Sequence, residues 1–156
     1  MTALGAFSPG DVLTAADLNA IATTSTTYTP TWTSTGTQPS LGNGTLTGRY
    51  MKINKLVWVQ ILFIFGSTSS AGTGIYKWSL PSGIPARSGL YGYMSQGMAR
   101  FYDSSAGTVP LGSASFFGGS TTAISAYANN GTVTNANPFN WATADEIVMT
   151  FTYEAA

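Results

Sequence analysis

The sequence contains no cysteine and no histidine, and charged residues make up only 8% of its 156 residues. Without cysteine the chain forms no disulfide. Without histidine it lacks the commonest general base and the commonest metal ligand, and zinc sites of the His/Cys type are excluded. The formal net charge is zero. Because phosphate binding needs a basic face, this charge balance argues against a nucleic-acid partner.

The residues that are present favour a folded, mainly β protein. Hydrophobic residues make up 44% of the chain and aromatic residues 13%, which is far too apolar for a disordered coil. The length suits one domain with a workable core. Serine, threonine, asparagine and glycine are abundant. This composition is typical of all-β surface proteins and of subunits that bury much area in an assembly.

The longest apolar run, residues 56–65, contains Gln60 as its only polar side chain. Successive side chains of a strand point to opposite faces, and here both faces are apolar. We expect one face to line the core and the other to be covered by a second layer or by another copy of the chain. Trp58, Leu62 and Ile64 are therefore candidate residues of an oligomer interface. The run is far too short for a membrane-spanning helix, so no membrane insertion is expected.

From residue 28 onward the apolar pattern has a period of two, which predicts β-strands. Eight strands are predicted, at 28–34, 45–53, 56–65, 74–80, 90–102, 108–117, 121–128 and 145–153. Asn43-Gly44 and Asn130-Gly131 lie between strands and predict hairpin turns. Many short strands with Gly/Pro turns and no long helix predict an antiparallel β-sandwich of jelly-roll type.

The first residues, 1–27, are predicted to form an arm with one short helix. Thr14 is a good N-cap with Asp17 three residues later, and Leu13 and Leu18 can close a hydrophobic staple. Leu18 and Ile21 share one helical face. Such a short helix is not stable alone and needs a docking surface, either its own sheet or a neighbouring subunit or particle. These five residues are the candidate anchoring residues.

The carboxylates offer no convincing catalytic pair. The chain has six of them: Asp11, Asp17, Asp103, Asp145, Glu146 and Glu154. Asp145 and Glu146 are neighbours at a strand start and are expected to point to opposite faces, and Asp103 lies in a turn-like segment. A serine nucleophile without histidine would need a lysine base, and no S-x-x-K spacing occurs. We therefore expect no enzymatic activity, no metal site and no cofactor.

Aromatic side chains suggest one possible ligand site. Tyr91 and Tyr93 belong to an aromatic-rich stretch at 90–103, and Trp141 lies in the loop sequence NPFNW. Exposed aromatic rings of this kind stack on sugar rings, which makes these three residues candidate glycan contacts. The alternative is that they belong to an ordinary β-sandwich core.

Two pieces of the chain resemble a known family. FSPGDVLTAADLNAIA, residues 7–22, resembles the N-terminal segment of small virion proteins of tailed phages, especially phages of actinobacteria. Residues 28–66 resemble the β-domain that follows in those proteins, where a Trp strand, a P-x-LGNG turn, a G-x-Y strand and an alternating V/W strand recur. Members are described as minor tail proteins, fibre or receptor-binding domains, and head fibres or decoration proteins.

The resemblance implies a homotrimeric, non-catalytic protein on the virion surface, synthesised in the host cytoplasm. Residues 1–27 would anchor it to capsid or tail proteins, and the sandwich, 28–156, would trimerise and project. Because the chain has no heptads and no fibrous repeat to build a shaft, a capsid decoration protein or head fibre is preferred. The alternative is a minor tail or baseplate fibre protein whose β-sandwich binds a host surface glycan.

Overall fold

The computed structural model of the protein describes residues 10, 12, 14–16, 24–89, 95–116, 118–129 and 131–156. In these residues it contains ten strands: β1 Thr26–Tyr28, β2 Trp32–Ser34, β3 Thr45–Ile53, β4 Leu56–Ile64, β5 Tyr76–Ser79, β6 Ser95–Tyr102, β7 Leu111–Ser115, β8 Ala123–Ala128, β9 Gly131–Thr132 and β10 Glu146–Glu154. Seven of the eight predicted strands correspond to one observed strand each. The eighth, 28–34, is divided into β1 and β2, and β9 was not predicted.

All ten strands belong to one antiparallel sheet, in the order β1-β3-β4-β10-β6-β7-β8-β5-β2, with β9 paired to β8. The mainly β, antiparallel class is therefore confirmed. The jelly-roll sandwich is not confirmed, because β8 joins the two halves of the structure into one curled sheet. Ser125 of β8 pairs with β7, whereas Ile124 pairs with β5.

The two ends of the sheet, β1 and β2, are consecutive in the chain. Thr27 of β1 pairs with Arg49 of β3, and Trp32 of β2 pairs with Trp78 of β5. Pro30 lies between them and has no N–H with which to continue a ladder, so the segment leaves one partner and joins another. The sheet thus curls until its first and last strands follow one another along a single segment.

Alternate residues of the strands fill the interior of the curl. On β4 the buried side chains are Val57, Val59, Ile61 and Phe63, which alternate with the predicted interface residues. On β10 they are Ile147, Met149, Phe151 and Tyr153. Because β4 and β10 pair along their full lengths, these two strands form one continuous wall of the core.

An aromatic cluster occupies the centre of the core. The ring of Phe63 lies 4.7 Å from Trp32, 5.6 Å from Trp141 and 6.4 Å from Trp78, centroid to centroid. The ring of Tyr76 lies 5.1 Å from Trp32 at nearly a right angle. Tilted and edge-to-face contacts of this kind are the favoured geometry of aromatic pairs. The cluster connects β4 with β2 and β5, which lie far away in the sheet order.

A buried carboxylate fixes the start of β10. The side chain of Asp145 is fully buried. It accepts hydrogen bonds from the Ser104 N–H at 2.9 Å, the Ser104 hydroxyl at 3.0 Å and the Ala142 N–H at 2.6 Å. These bonds hold the turn after β6 against the loop before β10. Asp145 is therefore a structural residue that sets where β10 begins.

The N-terminal helix is not shown by the structure. Of the residues predicted to form it, only Thr14, Ala15 and Ala16 are described, and all three are exposed. Ala15 and Ala16 are helical, but they are too few to define the predicted helix. Leu13, Asp17, Leu18 and Ile21 lie outside the described residues, so the predicted cap, staple and apolar stripe remain predictions.

Asp145→Asn tests the hydrogen bonds that this buried carboxylate accepts at the start of β10. We expect the free energy of unfolding to fall by about 2 kcal/mol, because an amide NH₂ group then replaces one of the two oxygens that accept from buried donors. Urea denaturation followed by tryptophan fluorescence measures the change. Asp103→Asn is the matched control. Its Oδ1 accepts from Ser105 and Ala106 in an exposed turn, and an asparagine oxygen can accept the same bonds. Equal losses in the two variants would contradict the role of Asp145.

Candidate functional site

The outer face of β4 carries the residues predicted to form an oligomer interface. Trp58, Leu62 and Ile64 point away from the core and are each partly exposed. Leu56, at the start of the strand, is 57% exposed. The structure thus places the predicted interface residues on the surface of the described chain, where they are accessible to a partner.

Neighbouring strands extend this apolar surface sideways. Leu62 lies opposite Val148 of β10, Trp58 lies opposite Met51 of β3, and Leu56 lies opposite Ile53 at the β3–β4 turn. Directly opposed residues on one face of an antiparallel pair have Cβ atoms about 5 Å apart. We call this surface the outer apolar patch, and a polar row of Arg49, Gln60 and Thr150 crosses it. On one side of this row lie Leu62, Ile64 and Val148, and on the other lie Met51, Ile53, Leu56 and Trp58. Apolar patches that stay exposed on a soluble domain mark interaction sites.

A groove that the sequence did not predict borders the patch on the side of β1 and β3. It has a volume of about 460 Å³ and is lined by Thr27, Tyr28, Thr29, Thr47, Gly48 and Arg49. Its walls come from two strands whose pairing is not apparent from local sequence. The groove combines threonine side chains with one exposed guanidinium, so it suits a polar or anionic group.

The four described carboxylates all have partners that explain them. Asp145 accepts the hydrogen bonds from Ser104 and Ala142 described above. Glu146 lies 3.9 Å from Arg100, and Glu154 lies 3.0 Å from Arg87. The Ser105 hydroxyl and the Ala106 N–H hold the pKa of Asp103 below its ordinary value. These partners indicate that the four carboxylates serve in caps, turns and ion pairs.

Neither a cluster of metal ligands nor a membrane-spanning helix is found in the part of the chain that the structure describes. In that part, no three acidic residues come close enough together to hold a metal ion, and it contains neither histidine nor cysteine. In the same residues, no helix has the length and hydrophobicity needed to cross a bilayer.

Of the three predicted glycan contacts, the structure describes only Trp141. Trp141 is only 8% exposed, and its indole N–H donates to the Thr134 carbonyl at 2.9 Å. Its ring packs against Phe139 at 5.0 Å, so it serves as a core aromatic and is not presented to a sugar. This geometry favours the alternative interpretation, in which Trp141 belongs to an ordinary β-sheet core. Tyr91 and Tyr93 lie outside the described residues, and their role remains a prediction.

The comparison with known proteins gives one informative similarity. No protein-family model and no solved structure matches the chain. Among curated proteins, it is 31% identical over 130 residues to the Mu-like prophage FluMu defective tail fiber protein of Haemophilus influenzae. The aligned region covers 81% of this chain and 20% of that protein, so the chain spans about a fifth of the length of its relative. The similarity supports the coarse prediction that this is a phage virion or tail protein.

Proposed function

We propose that the chain is a non-enzymatic structural part of a phage tail, assembled as a homotrimer and located on the virion surface. The observation that carries this proposal is the similarity to a tail fibre protein over 81% of the chain. It favours the tail, the alternative in the sequence interpretation, over a capsid decoration protein or head fibre. The relation to phages of actinobacteria rests on the resemblance alone, since the relative is a prophage protein of Haemophilus influenzae.

The absence of catalysis is supported by how the polar side chains are used. The chain contains no histidine and no cysteine. Each described carboxylate belongs to a turn, a buried clasp or an ion pair, and none is left in a cleft beside a second one. A structural protein needs no such set of catalytic side chains. No observation favours glycan binding as a second function.

Assembly through the outer apolar patch is supported by the composition of that surface. A strand whose two faces are both apolar needs cover on both sides, and the core covers only one of them. Interfaces of permanent oligomers are larger and more apolar than the rest of the surface. The number three comes from the resemblance to virion proteins.

Attachment to the particle is assigned to the arm, residues 1–27. Within this range, the structure shows that β1 begins at Thr26, so the β-domain includes the last two residues of the predicted arm. The anchoring residues remain those predicted from sequence. Their partner would be another tail protein, with a capsid protein as the alternative.

Labelling of intact particles tests the location. Antibody raised against the chain and detected by gold in electron micrographs should mark the tail. A particle that lacks the gene for this chain is the control. Gold distributed over the capsid would contradict the tail assignment and support a decoration protein.

Replacement of two patch residues tests the interface. In Trp58→Thr/Leu62→Thr we expect association to weaken by more than about 100-fold, because burying each side chain is worth about 1.5–3 kcal/mol. Analytical ultracentrifugation across a concentration series measures the mass. Val109→Thr replaces a residue that is 45% exposed outside the patch and should leave the mass unchanged. A wild-type monomer at micromolar concentration would contradict the homotrimer.

Replacement of two arm residues tests anchoring. Leu18→Ser/Ile21→Ser removes the apolar stripe of the predicted helix, so the protein should be lost from purified particles. Its β-type circular dichroism and melting temperature should stay close to wild type, because the β-domain builds a core of its own from residues between Trp32 and Ala155. Unchanged occupancy on particles together with a large fall in melting temperature would show that the arm belongs to the core.

A further inference from the structure

Arg49 has an exposed cationic side chain that lies inside the outer apolar patch. On the outer face of the sheet its row continues through Gln60 of β4 and Thr150 of β10, with Thr27 of β1 on its other side. All three neighbours are uncharged. Arg49 makes no hydrogen bond or ion pair with any residue that the structure describes. In the described chain, only solvent therefore balances its positive charge.

Association through the patch would take this charge out of water. Leu62 and Ile64 lie on one side of the polar row, and Met51 and Trp58 lie on the other. Any contact that covers both apolar halves of the patch also covers the row between them. A cation that loses its water without gaining a counter-charge is strongly destabilising. The proposed assembly therefore requires a negative charge at Arg49.

The described carboxylates do not supply this negative charge. The two that lie on the outer face, Glu146 and Glu154, are each paired with an arginine of their own chain, at 3.9 and 3.0 Å. Asp103 and Asp145 accept hydrogen bonds within their own chain. A second copy therefore presents no free carboxylate to Arg49 among its described residues.

The groove beside Arg49 is suited to a small anion. It has a volume of about 460 Å³, and Thr27, Thr29 and Thr47 line it together with Arg49. The guanidinium offers a planar fork of N–H donors, and each threonine hydroxyl offers one O–H donor. These donors come from two strands. They suit a tetrahedral oxyanion, whose four oxygens accept in different directions, better than a planar carboxylate with two oxygens.

We propose that an inorganic oxyanion of the phosphate type occupies the Arg49 groove when copies of the chain associate through the outer apolar patch. This inference rests on the proposed self-association and adds the ligand that it requires. The anion would neutralise Arg49 as the patch loses its water, so anion binding and assembly favour each other. Association would then depend on which anion is present, and not on ionic strength alone.

Association in two buffers tests the anion site. Analytical ultracentrifugation measures the concentration of half-association at pH 7 in sodium phosphate and in sodium chloride of the same ionic strength. For the wild type, phosphate should lower this concentration at least about tenfold. For Arg49→Gln, which removes the charge, the values in the two buffers should agree to within about threefold. Equilibrium dialysis with radiolabelled phosphate should show binding to the associated wild type and none to Arg49→Gln.

Lys77→Gln is the matched control, because it removes one positive charge on β5, far from β3 and β4 in the sheet order. It should keep the phosphate dependence of the wild type, and circular dichroism of each variant verifies folding. Equal association of the wild type in both buffers, or a phosphate dependence that survives in Arg49→Gln, would overturn the anion site and leave the homotrimer standing. Neutralisation of Arg49 by Asp11 or Asp17 of the arm would give the first of these results. A wild type that stays monomeric in both buffers would overturn both the anion site and the homotrimer.

Discussion

The packing of Phe63 against three tryptophans is the contact on which the rest of the structure depends. Phe63 lies on β4, whereas Trp32 and Trp78 lie on β2 and β5 at the far end of the sheet order. These rings meet only when the sheet curls. A buried aromatic side chain removes about 150–250 Å² from water, so the cluster supplies a large part of the free energy that favours the curled form.

The aromatic cluster also costs free energy, which the hydrogen bonds of other buried aromatic side chains partly offset. In the described chain, the buried indole N–H groups of Trp32 and Trp78 have no hydrogen-bond partner, at about 1–3 kcal/mol each. Other buried aromatics use their polar atoms to hold loops. The Tyr76 hydroxyl donates to the Ala71 carbonyl at 2.6 Å, and the Tyr153 hydroxyl donates to the Ile84 carbonyl at 2.8 Å. Burial raises the pKa of both phenols, which keeps them protonated donors.

Strand β4 connects the stability of the fold with its proposed assembly. Its inward residues, such as Val59 and Phe63, fill the core, and its outward residues, such as Trp58 and Leu62, form the apolar patch. Substitutions of the inward residues should therefore change the free energy of unfolding. Substitutions of the outward residues should change association.

The sequence by itself determined the strands and the faces of β4. The predicted ranges 45–53 and 56–65 match β3 and β4 closely, because the geometry of an extended backbone is a local property. It equally predicts that Trp58 and Leu62 share a face opposite Phe63. The sequence could not show the curled sheet, since the partner of each strand is set by the packing of the whole core.

The tertiary structure alone decided which distant residues meet. Asn43-Gly44 forms no hairpin, because β2 pairs with β5 and β3 pairs with β1 and β4, whereas β8 and β9 do pair at the Asn130-Gly131 hairpin position. Trp141 became a core residue because the loop before β10 folds over Phe63. Arg49 and Glu146 lie on one outer face only because β3 and β10, strands almost a hundred residues apart, both pair with β4. Strand pairing over such separations depends on the total burial achieved, which no local pattern encodes.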